Sequence, residues 1–286
     1  MTDKPQLSTS AYRVEMKDLG VMVITFTRAD RLNALTQMIK RDLIELMTRV
    51  QMDDAVRVVV FTGEGKAFCA GDDLGGYFAG ESETVATIHG DHKTPIGTAN
   101  ALRGYSQALN VAVRNLDKIT IAAIGGPAIQ TGLSLALSCD FRIGSPAARM
   151  GSATLRFALM PDEGGHALLV QHLGLAKALD FMLRKKIVSG EEALALGLLT
   201  ELVPAEELLD RALALASEMA EGPQVAMRML KRSIYNAAET TFAQALDDIA
   251  IRTAVTDHHA DAKDGGLSFR EKRAPRFNAW LDDLAP

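Results

Sequence analysis

The 286-residue sequence predicts an α/β core over residues 1–204 followed by a helical region over residues 205–286. Three observations carry this. Short β-branched runs alternate with helical periodicity in the first part, and two of those runs lead into glycine-bearing loops. Beyond Pro204 only helical periodicity continues, and such an order of elements belongs to a sheet covered by helices with a helical appendage.

Residues 12–18 and 21–27 (YRVEMKD and VMVITFT) flank Leu19-Gly20 and predict a β-hairpin. From Thr36 the spacing of Ile39, Leu43, Leu46, Met47 and Val50 predicts an amphipathic helix. Residues 56–62 (VRVVVFT) are a near-continuous apolar run, expected of a strand buried on both faces. The loop GEGKAFCAGDDLGG follows at 63–76, then a polar stretch to about residue 97 with Tyr77, Phe78, His89 and His92, expected to shape a pocket. A helix is expected from there to about residue 116.

The next unit is a strand at 121–124, a turn at Gly125-Gly126-Pro127 and a short helix from about residue 131, with another short strand at 141–145. Pro161-Asp162-Glu163-Gly164-Gly165 is expected to open a helix, which would place His166 one turn from Asp162 on the same face. Ser189 and Glu192 have the spacing of a capping box. Amphipathic segments fill 205–220, 224–237 and 239–256, and a charged tail closes the chain.

Composition removes several classes of function. With 48% hydrophobic and 23% charged residues the chain can bury a large core. A net charge of -5 argues against a nucleic-acid binder. Two cysteines form no disulfide framework and fit a reduced compartment, so a cytoplasmic location is expected. The apolar stretch 119–138 has nearly the length of a membrane span but carries Gly125, Gly126, Pro127, Gln130 and Thr131 at its centre, so no membrane partner is expected. Gly63-x-Gly65 lacks the third glycine of a dinucleotide fingerprint, and no phosphate-loop lysine, metal-ligand spacing or serine elbow occurs. No metal and no separate cofactor are expected.

The two loops, Phe68 to Leu74 and Gly125 to Gly132, each sit between a strand and a possible helix. Converging backbone amides there could hold an oxyanion. The same spacing also serves two plain strand-to-helix turns.

Residues 21–35, 57–74 (RVVVFTGEGKAFCAGDDL), 119–140 (ITIAAIGGPAIQTGLSLALSCD) and 189–204, with the tail FREKR at 269–273, resemble the crotonase or enoyl-CoA hydratase/isomerase superfamily. The resemblance implies a ββα superhelix core, a helical C-terminal trimerisation region, homotrimers or homohexamers (dimers of trimers), and an acyl-CoA thioester as substrate, with CoA entering as part of it. By position it implies that the amides of Ala70 and Thr131 bind the thioester oxygen, with Gly71, Asp72 and Leu74 beside them. Thr131 departs from the glycine common at that place. Phe269 and Lys272 match positions that touch CoA from a neighbouring subunit. The two glutamates of the family's hydratases fall on Ser134 and Thr154, neither of which can serve as a carboxylate base. Asp162 falls where isomerase members carry their carboxylate, with Glu163 and His166 as further possible participants. The sequence therefore favours double-bond isomerisation. Hydration, C–C hydrolysis or dehalogenation of an unusual acyl-CoA, and non-catalytic CoA binding, stay open.

Overall fold

The computed structural model describes residues 8–73 and 94–284. Leu74, Tyr77, Phe78, His89 and His92, all singled out by sequence, lie outside the described residues. Strand β1 (Tyr12–Lys17) pairs antiparallel with β2 (Val21–Phe26), which runs parallel to β3 (Val58–Gly63). The six-stranded sheet continues in parallel through β4 (Ile119–Ile124), β6 (Phe141–Gly144) and β9 (Glu201–Leu202). A second sheet of three short strands joins β5 (Pro127–Ile129), β7 (Arg149–Gly151) and β8 (Ile187–Ser189). The predicted turn after residue 126 therefore contains a strand, too short to announce itself by alternation.

Side-chain alternation explains why the central strands are apolar throughout. Met22, Ile24, Phe26, Val59, Phe61, Ala122 and Ile124 face one core. Helices α1 (Gln37–Met52), α3 (Ala108–Arg114) and α4 (Thr131–Ser138) contribute Leu43, Met47, Leu109, Val113, Leu133 and Leu137 to it. Val21, Val23, Val58, Val60, Ile119, Ile121 and Ile143 face the other, and pack on Leu208, Ala212, Leu215, Ala216 and Ala220 of α8 (Leu208–Glu221). The helix that opens the C-terminal region thus forms one wall of the α/β core.

Helix α2 (Pro95–Ala101) passes into a π-helical segment, Leu102–Gln107, before α3. Helix α5 (Gly165–Leu173) begins only at Gly165, after a left-handed Gly164 at φ 98°. Asp162 and Glu163 consequently stand in the loop before the helix, and the expected one-turn relation of Asp162 to His166 does not hold. Helices α6 (Leu175–Leu183) and α7 (Gly190–Ala195) follow, and Ser189 and Glu192 form the predicted capping box at α7. Helices α9 (Gln224–Ala237), α10 (Phe242–Asp257) and α11 (Ala260–Glu271) come next, α11 occupying what was read as a charged tail, and a short 3-10 turn, Ala279–Leu284, follows. No described helix is long and apolar enough to cross a membrane.

Candidate active site

The carboxyl ends of β3 and β4 bring the two glycine loops together. Cys69 bridges to Ala128, its amide bonding the Pro127 carbonyl at 3.0 Å and its carbonyl receiving the Ile129 amide at 2.9 Å. Gly132, in the first turn of α4, lies so close to the Cys69 carbonyl that no side chain fits between them. That contact seats the amino end of α4 on the first loop. The first-turn amides of Thr131, Gly132 and Leu133 have no acceptor within the helix, and no side chain caps this end, so it presents donors and partial positive charge.

The first loop differs from the expectation. The Ala70 amide donates to the Leu32 carbonyl at 3.0 Å, because residues 32–35 run beside it and Leu35 bridges to Asp72. Leu32 and Asn33 reach that position in left-handed conformations, at φ 50° and 58°. Ala70 is therefore internally satisfied here, and α4 supplies the donors without an internal partner. Gly71, at φ 108°, packs against the Gln130 side chain.

Gln130 joins these loops to the acids. It holds φ 52° and ψ −105°, a left-handed conformation unfavourable for a residue with a side chain. Its Nε2 donates to Glu163 Oε2 at 2.7 Å, while its Oε1 accepts from the hydroxyls of Ser152 and Thr154. Thr154 is thus placed at the site as a hydroxyl tied to Gln130. Ser134 is buried in α4, where Gly165 leaves room for its hydroxyl.

Around Thr131 the acids converge. Its hydroxyl oxygen lies 2.6 Å from Asp72 Oδ1 and 2.7 Å from Glu163 Oε1. Lys40, which sequence reading passed over, reaches in from α1 with only 2% of its side chain exposed. Its ammonium is 2.7 Å from Asp72 Oδ1 and donates to Ser106 Oγ at 2.9 Å. Burial opposes its charge, yet Asp72 beside it, with Glu163 and Asp162, holds its proton affinity above the ordinary lysine value. A signal was present, since Lys40 shares the helical phase of Leu43, Met47 and Val50 and so occupies a core position. Asp72 was singled out only as a neighbour of the oxyanion loop, and Gln130 only as a polar break in an apolar run.

The π-helical segment and α3 secure the acid-bearing loop. Gln107 donates to the Asp162 carbonyl at 3.0 Å, and Asn110 donates to the Glu163 carbonyl at 3.1 Å. Glu163 is 2% exposed and Asp162 is half-buried. Burial, then the charges of Glu163 and Asp72, push the Asp162 carboxyl up to about 7, with Lys40 opposing. Such a group both takes up and releases a proton near neutrality. Donor atoms of Asp72, Asp162 and Glu163 lie within 4.8 Å of one another, a spacing that could hold a metal ion, but a cation there would compete with Lys40 for Asp72.

Several other residues stand apart. His166 lies in the first turn of α5, with a buried Nδ1 that has no hydrogen-bond partner among the described residues. Phe269, 90% exposed, and Lys272 lie at the end of α11, which packs on α10. Burial pushes the Cys69 and Cys139 thiols up to about 12, so neither is a nucleophile near neutral pH.

The chain is similar to known proteins along most of its length. A sequence model of the enoyl-CoA hydratase/isomerase family matches residues 16–279. The chain is 31% identical over 262 residues to the 1,2-epoxyphenylacetyl-CoA isomerase of Escherichia coli K12, covering 90% of this chain and 95% of that protein. It is 30% identical over 269 residues to the mitochondrial methylglutaconyl-CoA hydratase of Rattus norvegicus, covering 92% of this chain and 81% of that one. The crystal structure of an enoyl-CoA hydratase from Bacillus anthracis superposes with a TM-score of 0.84 at 27% identity, covering 93% of this chain and 98% of the other.

Proposed function

The chain belongs to the enoyl-CoA hydratase/isomerase family, and from that premise we propose that it shifts a carbon–carbon double bond in an acyl-CoA thioester, with Asp162 as acid and base. The thioester oxygen accepts from the Thr131 amide at the positive end of α4. The Ala70 amide joins it by exchanging the Leu32 carbonyl for the substrate oxygen. Ionised Asp162 removes a proton from the acyl chain, and the electron pair moves toward the thioester carbonyl. Asp162 then returns the proton to a different carbon, so the double bond moves and the proton count is unchanged. CoA enters as part of the substrate, and the step calls for no redox group. We propose also that the exposed C-terminal helices join copies of the chain.

One observation carries the reading. The positions of the two hydratase glutamates hold hydroxyls, Ser134 and Thr154, while among the carboxyls gathered at the site Asp162 is pushed up to about 7. Asp162→Asn is expected to lower kcat by roughly 10²–10⁴-fold, the scale of a lost general base, with the Kd for the thioester changed by less than about threefold. In the unsubstituted enzyme kcat/KM rises with pH through about 7, since the ionised form is the base. Mass spectrometry of the product distinguishes the chemistry. A product of unchanged mass supports isomerisation, whereas addition of water supports the second reading, hydration, which the hydratase relatives favour. Full turnover by Asp162→Asn would remove Asp162 from the mechanism. Binding without turnover across an acyl-CoA panel would point to a non-catalytic CoA-binding protein.

A further inference from the structure

We infer that Lys40 is a positioning residue, its buried ammonium holding Asp72 at the head of a chain of contacts that runs Lys40–Asp72–Thr131–Glu163, beside which Asp162 stands, and thereby governing when Asp162 holds a proton. The catalytic role of Asp162 rests on the function proposed above. The arrangement of the chain does not.

The argument begins with counting protons. The Thr131 hydroxyl has one hydrogen, yet its oxygen stands within 2.7 Å of an oxygen on each of two carboxyl groups. It can donate to only one, so the other contact needs a hydrogen from the carboxyl side. Lys40 reaches this cluster through Asp72, to whose Oδ1 its ammonium donates at 2.7 Å. Gln130 donates to the other Glu163 oxygen at 2.7 Å, so each carboxyl in contact with Thr131 is held by a second donor. Oxygens of Asp72, Glu163 and Asp162 lie within 4.8 Å of one another, so the charge that Lys40 brings to Asp72 is felt at the Asp162 carboxyl.

The charged surroundings of Asp162 are few. Among the described residues, α1 contributes Lys40, the first loop Asp72, and the adjacent position Glu163. The π-helical segment and α3 offer neutral Ser106, Gln107 and Asn110, and α4 offers Thr131 and Ser134. Helix α5 adds the titratable His166. Lys40 is the one cation acting on Asp162 from this set, and Asp72 acts in the opposite sense.

This opposition gives a test independent of catalysis. Carbon-13 NMR of carboxyl-labelled protein, with the Asp162 signal assigned by its loss in Asp162→Asn, reads the Asp162 titration directly. In Lys40→Met the Asp162 midpoint is expected to rise by about one pH unit, and in Asp72→Asn to fall by about one. In the double variant the two changes cancel to within about half a unit. Lys40→Arg keeps a cation at the position and is expected to hold the midpoint close to that of the parent. If Lys40→Met does not fold, Asp72→Asn and the double variant decide the matter by the same criteria. An Asp162 midpoint that stays put in folded Lys40→Met or Asp72→Asn overturns the inference. The pH dependence of kcat/KM is measured alongside. If the NMR midpoints move as expected while that profile does not follow, the chain stands and the catalytic assignment of Asp162 fails.

Discussion

Asp162, the proposed acid and base, also loads the fold. Its carboxyl is pushed up to about 7, whereas an unfolded chain releases that proton near ~3.9. Below about pH 4 both states keep the proton and the site exacts nothing. Between about pH 4 and pH 7 the unfolded chain gives up a proton that the folded chain retains, so stability falls as pH rises, and above about pH 7 that loss is complete. Asp162→Asn has the shape of the protonated acid and no charge to suppress. Its urea midpoint is expected to match the parent near about pH 4 and to exceed it near about pH 8 by the equivalent of about 1–3 kcal/mol, discounted for the part of the carboxyl open to water. An advantage equal at both pH values would mean that Asp162 has ordinary acidity. Asp162 was singled out from sequence by its place in a motif, and its carboxyl stands beside those of Glu163 and Asp72. Lys40 sits in no motif, and its one sequence signal was its phase with Leu43, Met47 and Val50, which is easily passed over because a lysine in an amphipathic helix is usually solvated.

The short helix α4 owes its place to the turn that precedes it. Gln130 stands at φ 52° there, a conformation glycine adopts without strain and one that costs other residues about 1–3 kcal/mol. The compensation is chemical, since the Gln130 amide ties Glu163 to the hydroxyls of Ser152 and Thr154. Gln130→Gly is therefore expected to leave the thermal midpoint unchanged or raised, relief of strain offsetting about 1 kcal/mol of backbone entropy. It is expected to lower kcat by roughly tenfold, the scale of a lost orienting hydrogen bond. Circular dichroism melts and kcat on one preparation check both halves, and a large drop in melting temperature with intact kcat would show the tie to be purely structural. The longer elements were legible because they carry their own periodicity, as with β2, β3, β4 and α1. Strands β5, β7 and β8 have three residues each and exist only through their pairing across the chain. Helix α11 was hidden by its composition, with Gly265 and Gly266 at its centre and charges along its length.

At the scale of the whole molecule the sheet is closed on both faces, by α1, α3 and α4 on one side and α8 on the other. The outer helices are not closed in the same way. On α9, Leu230 and Ile234 are each 60% exposed and one turn apart. On α10, Phe242, Leu246 and Ile249 follow helical spacing on one side and Ile251 and Val255 on another, while Ala245 is the buried residue of that helix. Apolar exposure on adjacent helices is the mark of a surface meant to be covered. A second copy is the occupant proposed, because the family resemblance implies assembly through this region and because Phe269 and Lys272 lie on the same helical unit. The resemblance implies that the two residues touch CoA from a neighbouring subunit, and their helix packs on α10. Replacing Leu246 and Ile249 by Glu puts two charges into that surface. The parent protein is expected to run at three or six chain masses in light scattering, and the double variant at one. Its site residues stay in place, so the variant keeps its fold by circular dichroism, while its KM for acyl-CoA rises if Phe269 and Lys272 act across the interface. A parent protein that is monomeric at micromolar concentration would leave the apolar faces of α9 and α10 without this partner. A monomeric variant with unchanged KM would confine the C-terminal helices to assembly and assign the CoA contacts to the chain that holds Asp162.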